Sequence, residues 1–410
     1  MALLSRRAAV QMFLAFAFAY FFSALLRAII ATLAPTLTGE FALTARDLGL
    51  LAGGYFIGFA ATQLPLGTWL DRHGPKRVIL AFLSIAVAGC IAFSLAGSFA
   101  TLLAARVLCG IGVSACLMAP LTGFRRWLDP GAQLRANSWM LMTGSFGMLA
   151  STLPVQWLVP LAGWRPLFWA LAALIALSML LLAWRVPAWQ APPAGNSAPA
   201  SYAEVWRSAY FWRMVPIGFF SYGGLVALQT LWAGPWMVRV AGYTPVESAA
   251  GLFTINLSML VTFWSWGVVT PLLARRGIGA DRLIAWGLPC SLLVLAAIVW
   301  AGPAAGAAAL ALFCVSSSFV TLAQPAIGMA FPAALAGRAL SAYNLVIFLG
   351  VFTLQWGIGL LVDGLEALGW PQVAAFQGAF AVFLAFSVAS YGWFLLGNRD
   401  NRRAAQPASP

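Results

Sequence analysis

Charged residues are scarce in this sequence. Of its 410 residues, 8% are charged and 62% are hydrophobic, whereas a typical soluble domain is about 25% charged. This composition excludes a soluble globular protein and predicts an integral membrane protein. A spanning helix takes about 20 apolar residues, so the chain has room for about twelve spans joined by short loops.

Acids are the scarcest charged group, with ten of them against 23 basic residues and a single histidine. All ten acids lie in predicted loops or at the ends of predicted spans. Because no carboxylate lies inside a span, the sequence shows no obvious group that could carry a coupling proton. The histidine, His73, lies in a predicted loop, where we expect it to be solvated.

Sites for metals, cofactors and covalent catalysis are missing as well. The cysteines lie in apolar runs without the spacing of a metal site or a disulfide framework, so we expect them to be packing residues. They are Cys90, Cys109, Cys116, Cys290 and Cys314. The sequence contains no nucleophile–base pair and no phosphate-cradling loop. We therefore predict a protein that is not an enzyme and that uses no metal and no cofactor.

The apolar runs predict an all-α protein with twelve membrane spans. We place the spans near residues 11–34, 47–70, 77–97, 100–124, 136–158, 166–185, 210–235, 249–273, 283–301, 304–329, 339–362 and 373–396. The longest polar stretch, 186–208, is rich in Pro, Ala, Gly and Ser, which is typical of a flexible linker. We therefore expect an N-terminal six-helix bundle at 1–185, a cytoplasmic linker at 186–208, and a C-terminal six-helix bundle with a short tail at 209–410.

The basic residues predict the orientation. With the N-terminus in the cytoplasm, 18 Arg and Lys residues fall inside and only Arg46, Arg165 and Arg239 fall outside. This bias predicts that both termini are cytoplasmic. The net charge of +13 is spread over helix ends in small groups, so it does not indicate a nucleic-acid partner. The apolar run after Arg6 and Arg7 is too long for a cleaved signal peptide, and we expect it to be the first retained span.

The two halves of the sequence resemble each other at nearly constant offsets. At an offset of 202, Tyr20 pairs with Tyr222 and Arg27 with Gln229. At an offset of 203, residues 70–74 pair with 273–277 and Gly147 pairs with Gly350. At an offset of 205, Cys109, Pro120 and Gly123 pair with Cys314, Pro325 and Gly328. Matches that keep this register predict a parallel repeat of six plus six spans. Such repeats place a substrate near the midplane, where the halves meet, and work by rocking one half against the other.

The segment 58–77, GFAATQLPLGTWLDRHGPKR, occupies the predicted loop between spans two and three. It resembles the signature of the major facilitator superfamily, Gly-x-x-x-Asp-Arg-x-Gly-x-basic-basic. This resemblance implies the fold of that family, two pseudo-symmetric six-helix bundles. It also implies a conformational latch made of Gly67, Asp71, Arg72, Gly74, Lys76 and Arg77. We expect the two glycines to allow a close helix approach and a tight turn, and Asp71 to contact basic groups.

Two arginines lie inside predicted spans. A guanidinium is costly at membrane depth and cannot lose its proton, so it faces a bundle interior or a water-filled cavity, where it usually marks a substrate path. Arg27 precedes Pro35, and Arg106 begins RVLCGIGVSA in span four. With Gln63-x-Pro65-x-Gly67, this pattern is similar to the anion:cation symporter branch of the superfamily and to the organophosphate antiporter branch. The resemblance implies an anionic substrate at Arg27. For Arg106 a structural role in helix contacts is an equal alternative.

The sequence departs from the symporter branch where that branch carries acids. Leu26 stands where an acid usually precedes the first arginine, and Val113 stands where an acid often follows the second. The Gly-Pro-rich motif of drug antiporters is also absent from span five. These departures leave the coupling open between exchange, uniport and entry of the substrate with its own proton.

Polar residues inside predicted spans are the candidates to bind the substrate beside the arginines. One uncompensated cation suits a monoanion, and a second would suit a dianion. The candidates are Tyr20, Gln63, Gln156, Tyr222, Gln229, Asn256, Gln324, Tyr343, Asn344 and Gln355, and hydrogen bonding between helices is the alternative for each. Gln229 is of interest because it takes the place of Arg27 in the second half. An apolar wall of the cavity is a further interpretation for Trp232, Trp236, Trp264 and Trp266.

Together, these features predict a secondary transporter that moves a small organic anion, a carboxylate, across the inner (plasma) membrane by alternating access, as a symporter or an antiporter. We expect an anionic small molecule and the lipid bilayer as its partners, and a monomeric protein. An alternative is efflux of an amphipathic drug-like or metabolite compound, with Arg27 in a structural role. A third interpretation is a non-transporting sensor, which the lack of a long extramembrane segment disfavours, or an enzyme on this scaffold, which the missing catalytic motifs disfavour.

Overall fold

Long uncharged stretches fold into helices because a helix satisfies its backbone hydrogen bonds internally, as an apolar surrounding demands. The computed structural model describes residues 4–189 and 202–404, and every regular element within them is a helix. Among these residues, ten helices are long and apolar enough to cross a bilayer, and a bent pair makes eleven. The twelfth span follows from Gln63–Ser94, which turns at Gly74 and therefore belongs to two spans.

The first six spans run as follows. Span 1 is Arg6–Phe41. Span 2 consists of Ala45–Ala61 and the first part of Gln63–Ser94, and span 3 is the part of that helix after Gly74. Span 4 is Phe99–Trp127, span 5 is the bent pair Pro130–Ala150 and Leu153–Ala162, and span 6 is Trp164–Arg185. Most helices extend beyond the predicted apolar runs at both ends.

A short helix, Tyr202–Trp206, precedes the second set of spans. Span 7 is Ala209–Arg239, span 8 is Pro245–Arg275, span 9 is Ala280–Ala301, span 10 is Ala307–Ala330, span 11 is Ala333–Ala367 and span 12 is Gln372–Ala404. Span 7 contains two π-helical segments, Ile217–Tyr222 and Leu228–Trp232. Such segments are frequent at functional sites, and Tyr222 and Gln229 lie in them.

The two halves meet along spans 1 and 7, spans 2 and 11, and spans 5 and 8. We name the ends of the bundle by their charge. The arginine-poor end carries Arg46, Arg165 and Arg239, and the opposite, arginine-rich end carries the turn at Gly74. Gly74 and Gly277, one of the repeat pairs, both have positive φ, 78° and 74°, which agrees with the predicted internal repeat.

Four acids, Asp47, Glu247, Asp129 and Glu40, hold helix ends or neighbouring helices together. Asp47 and Glu247 complete capping boxes at the starts of spans 2 and 8, and Asp129 caps span 5. Glu40 pairs with Arg165 at 2.6 Å and so joins span 1 to span 6. These roles explain why the acids lie at span ends.

The ends of the predicted linker are docked against the bundle. Residues 190–201 lie outside the described residues, so the domain boundaries at 185 and 208 stay a prediction. On one side of this gap, the Trp189 ring packs so closely on Gly74 that a Cβ there would collide with it. On the other, the Tyr202 hydroxyl donates to the Leu64 carbonyl oxygen at 3.0 Å. The aromatic side chains give these ends apolar surface to bury, which a count of Pro, Gly and Ser does not reveal.

Candidate substrate site

The centre of the candidate site is Arg27, which lies in span 1. Its side chain is partly buried, and its buried Nε has no hydrogen-bond partner among the described residues. The ion pairs found in that part of the chain are Arg46–Asp47, Arg165–Glu40 and Arg213–Asp281. Arg27 belongs to none of them. It therefore carries an uncompensated positive charge inside the bundle.

Three tyrosines and one phenylalanine surround the Arg27 guanidinium. Tyr20 lies two turns earlier on the same span, while Tyr55 of span 2 and Tyr222 of span 7 approach from the two halves. The Arg27 Cζ atom is 5.8 Å from the centroid of the Phe59 ring. Because Tyr222 belongs to the second half, Arg27 lies where the halves meet. A cation with hydroxyl groups beside it is suited to bind an anion.

Arg106 lies behind this site rather than in it. Its side chain is 0% exposed. One Nη2–H donates to the backbone carbonyl oxygen of Arg27 at 3.4 Å, and Cζ is 4.8 Å from the centroid of the Tyr55 ring. Nε and Nη1 have no partner among the described residues. The structure thus favours the structural alternative for Arg106, since the side chain contacts the backbone that carries Arg27.

Two amide pairs occupy the second half. Gln229 Nε2 donates to Asn256 Oδ1 at 2.9 Å, linking spans 7 and 8. Gln324 Nε2 donates to Asn344 Oδ1 at 2.6 Å, linking spans 10 and 11. Neither pair is hydrogen-bonded to Arg27 in the described part of the chain. The four predicted residues are therefore paired with one another, and a substrate would meet them as pairs.

Other predicted candidates pack between helices. Tyr343 is 0% exposed, and its hydroxyl donates to the Met214 carbonyl oxygen at 3.3 Å. This contact favours the helix–helix interpretation for Tyr343. Gln63 is buried and donates to the Phe59 carbonyl oxygen of its own span at 3.2 Å, so its hydrogen bond is local and does not join two spans. Trp232 and Trp236 are also 0% exposed and donate to backbone carbonyl oxygens of spans 11 and 9–10, so their proposed place in a cavity wall is wrong.

The register of the repeat in spans 1 and 7 differs from the predicted one. A Cβ on Gly147 would collide with the carbonyl oxygen of Phe21, and a Cβ on its repeat partner Gly350 with that of Phe219. These equivalent contacts pair Phe21 with Phe219, an offset of 198 rather than 202. The sequence carries the same local offset, since Phe21-Phe22-Ser23 recurs as Phe219-Phe220-Ser221.

The predicted latch is not engaged in this structure. The turn at Gly74 is present, with φ of 78°. Asp71 is exposed and makes no ion pair with a described side chain. No described atom lies within 4 Å of a Cβ position on Gly67, so the predicted close approach at Gly67 is wrong here. The remaining members lie at the surface, Arg72 and Arg77 exposed and Lys76 half-buried.

Tyr55 at the candidate site and Asp363 at the arginine-poor end of the bundle have no distinct signal in the sequence. Tyr55 stands in the apolar run LAGGYFIGFA, and its hydroxyl donates to the Ser23 carbonyl oxygen at 3.1 Å beside both arginines. Asp363 looks like any acid at a span end, yet it binds the start of span 2. The presence of a phenol within a predicted span was the only available signal for Tyr55.

Comparison with known proteins agrees with this architecture. The family model described as Major Facilitator Superfamily matches residues 16–354. The structure is similar to that of a bacterial homologue of the human lysosomal transporter Spinster in an inward-facing, occupied conformation, with a TM-score of 0.74 and 18% identity over 99% of this chain and 100% of that chain. It is also similar to the D-xylose–proton symporter, with a TM-score of 0.75 and 14% identity over 94% of this chain and 97% of that one. These likenesses concern the fold, and they confirm the predicted twelve-helix architecture.

Curated relatives match a little over half of the chain. The chain is 29% identical over 256 residues to a protein of Cupriavidus necator described as a probable sulfoacetate transporter, covering 57% of this chain and 58% of that protein. It is 27% identical over 243 residues to the multidrug resistance protein MdtL of Escherichia coli, covering 56% and 59%. The chain thus spans less than two thirds of the length of these relatives. Their names point to two different kinds of cargo.

Proposed function

Because the chain belongs to the Major Facilitator Superfamily, a family of membrane transporters and not of enzymes, we propose that it is a secondary active transporter of a small organic anion. The observation that carries this proposal is the uncompensated charge of Arg27 where the halves meet. Charge-assisted hydrogen bonds contribute about 1.5–3 kcal/mol each. A bound anion supplies Arg27 with the negative charge that no acid in the described part of the bundle provides.

Alternating access follows from the position of the site between the halves. Tyr20 and Arg27 belong to the first half, and Tyr222 belongs to the second. A substrate held by both halves is released to one side or the other when the halves rock about the site. The π-helical segments of span 7, which contain Tyr222 and Gln229, give that span two places where its helix geometry is already altered.

A carboxylate is the substrate group that we favour. One uncompensated cation suits a monoanion or one end of a dianion, and Arg106 is buried behind it rather than beside it. The name of the Cupriavidus necator relative supports this class, since sulfoacetate carries a carboxylate and a sulfonate. The coupling stays open between exchange, uniport and entry with a proton, because the acids of the described spans lie at helix ends.

Efflux of an amphipathic compound is the second candidate. The similarity to the multidrug resistance protein MdtL favours it, as do the aromatic rings of Phe59 and Phe348, whose centroids lie 4.5 Å apart between the halves. Under this alternative, Arg27 organises the tyrosines around it and does not contact the cargo.

The membrane orientation and the assembly belong to the same proposal. The split of 18 basic residues against three supports an inner-membrane protein with both termini in the cytoplasm. A monomer is sufficient for the mechanism because the two halves of one chain provide both sides of the site.

A thermal-shift screen of the purified protein tests the substrate class. Small carboxylates and sulfonates, sulfoacetate among them, are compared with their uncharged amides or esters, for the wild type and for Arg27→Met. A ligand at about 100 times its Kd adds about 2.7 kcal/mol of stability, so an acid that binds at Arg27 raises the melting temperature of the wild type alone. Equal stabilisation of both proteins, or stabilisation only by uncharged or cationic amphiphiles, would overturn the anion proposal in favour of efflux.

A further inference from the structure

At the arginine-poor end of the bundle, Asp363 of span 11 contacts the start of span 2. Asp363 Oδ1 accepts from the backbone N–H of Ala45 at 3.0 Å, and Oδ2 accepts from that of Arg46 at 2.9 Å. Ala45 and Arg46 are the first two residues of Ala45–Ala61. The N–H groups of a first helical turn have no partner within their helix, and the helix dipole favours a negative charge there.

The capping of span 2 is complete only when span 11 is present. Thr44 and Asp47 form a capping box, in which the Thr44 hydroxyl accepts from the Asp47 N–H at 3.2 Å. That box leaves the N–H groups of Ala45 and Arg46 free, and Asp363 accepts from both of them. Because span 2 belongs to the first half and span 11 to the second, this cap is a bond between the two moving parts.

The backbones of the two spans touch beside this cap. A Cβ on Gly359 would collide with the carbonyl oxygen of Ala45, and a Cβ on Gly49 with that of Gln355. Toward the arginine-rich end, by contrast, Gly67 of span 2 and Gly337 of span 11 have no described atom within 4 Å of a Cβ position. The pair of spans is therefore joined at one end and not joined in this way at the other.

The charged groups around Asp363 do not replace its contact with span 2. Asp363, Arg46, Arg239 and Glu366 line a cavity of about 550 Å³ at the arginine-poor end. The Arg46 guanidinium turns to Asp47 at 3.5 Å and is 55% exposed. Neither arginine forms an ion pair with Asp363 in the described part of the chain.

We propose that Asp363 is a gate residue, whose two bonds to the N-terminus of span 2 hold the arginine-poor end of the transporter shut and break each time that end opens. This role rests on the alternating-access part of the proposed function. It does not depend on the nature of the substrate. Removal of the carboxylate then shifts the unliganded protein toward the state that is open at the arginine-poor end.

The test measures access to the interface below the gate. Leu48 is buried, and it lines a smaller cavity between spans 1, 2 and 7 just beneath the cap. The labelling rate of Leu48→Cys by a water-soluble maleimide is measured in unliganded protein, and the rate of the parent with its five native cysteines is subtracted. Asp363→Ala is expected to raise the rate about tenfold or more, since hydrogen bonds to a charged group are lost. Asp363→Asn, which keeps one acceptor oxygen, is expected to give an intermediate increase.

Glu366→Gln in the same background is the matched control. Glu366 lines the same cavity three residues farther along span 11 and makes no described bond to span 2, so its labelling rate is expected to stay at the wild-type value. An unchanged rate in both Asp363 variants, or an equal rise in Glu366→Gln, would overturn the gate. The labelling experiment contains no substrate, so its result does not bear on the anion proposal. That proposal fails separately, in the thermal-shift screen, if no acid binds at Arg27. Melting temperatures within the range of the control identify variants that are folded.

Discussion

The two halves of the bundle treat buried positive charge in opposite ways. In the second half, Arg213 is 4% exposed and has an acid partner, with Nη1 bound to Asp281 Oδ2 at 2.6 Å and Nε donating to the Phe394 carbonyl oxygen at 2.9 Å, while Nη2 has no partner among the described residues. In the first half, Arg27 and Arg106 have no acid partner in the described residues. The amides near the interface on the second-half side, Gln229 and Asn256, are neutral and pair with each other.

This difference separates a cation that holds helices together from a cation that is available to a ligand. Arg213 joins spans 7, 9 and 12 because its Nε and Nη1 donors are used within the protein. Arg27 is partly open and leaves its Nε unused. An unpaired charge persists inside a membrane protein at a cost of about 2.5–3.5 kcal/mol on insertion scales. Under the proposed function, a bound ligand that supplies the missing negative charge offsets that cost.

The largest effect is expected at Arg27. Arg27→Met removes the charge and keeps a long side chain, and uptake of the anionic substrate into proteoliposomes should fall about 100-fold or more, which corresponds to about 3 kcal/mol. Arg27→Lys keeps the charge and loses the planar fork, so it should retain part of the transport. If Arg27→Met took up the substrate at the wild-type rate, Arg27 would not be the cation that is available to a ligand, and the comparison of the two halves would fail.

Breaking the paired cation should affect stability rather than recognition. Asp281→Asn leaves Arg213 without its ionic partner, and since the Asp281 side chain is 32% exposed, we expect a loss of about 1–2 kcal/mol, less than the 3–5 kcal/mol of a fully buried pair. The melting temperature should fall by a few degrees while the substrate affinity stays unchanged. Glu247→Gln is a suitable control because Gln also completes a capping box. A loss of affinity in Asp281→Asn at unchanged stability would contradict this assignment.

Much of the fold was predictable from the sequence, for physical reasons that concern single segments. Apolar runs define spans because the bilayer demands internal hydrogen bonding, and the glycine at position 74 defines a turn because its φ of 78° is open to glycine. The docked ends of the linker were not predictable in this way. Trp189 reaches Gly74 across the fold, and a local count of Pro, Gly and Ser carries no information on such a contact.

The candidate site was predictable only in part. Arg27 stands out because a charge inside an apolar helix has few explanations. Arg106 has the same local signal, and only its contact with the Arg27 carbonyl oxygen separates the two. Tyr55 and Asp363 acquire their roles from helices that are distant in sequence. Tyr222 lies at the candidate site, whereas Tyr343 packs between helices. The rotation of each helix about its axis decides which position a side chain takes, and composition does not specify that rotation.

A smaller effect is expected when Arg106 is replaced by the same residue as Arg27. Arg106→Met removes a buried guanidinium whose Nε and Nη1 have no described partner, so the melting temperature should stay equal or rise, because apolar replacements of buried charges are often neutral or stabilising. Loss of the bond to the Arg27 carbonyl oxygen should weaken substrate binding less than about tenfold. If Arg106→Met weakened binding as much as Arg27→Met, both arginines would contact the substrate and the anion would be a dianion.

The smallest effect is expected in the neutral half. Gln229→Ala and Asn256→Ala each break the 2.9 Å amide bond between spans 7 and 8, and bonds of this kind between membrane helices contribute about 0.6 kcal/mol on average. A double-mutant cycle on the free energy of unfolding should therefore give a coupling of about 0.6 kcal/mol, and substrate affinity should change by no more than about threefold. The change should be the same for an anionic substrate and its amide, since neither side chain is charged. A much larger loss for the anion alone would mean that the amide pair opens to bind the negative group, and recognition of charge would then be shared between the halves rather than confined to the first.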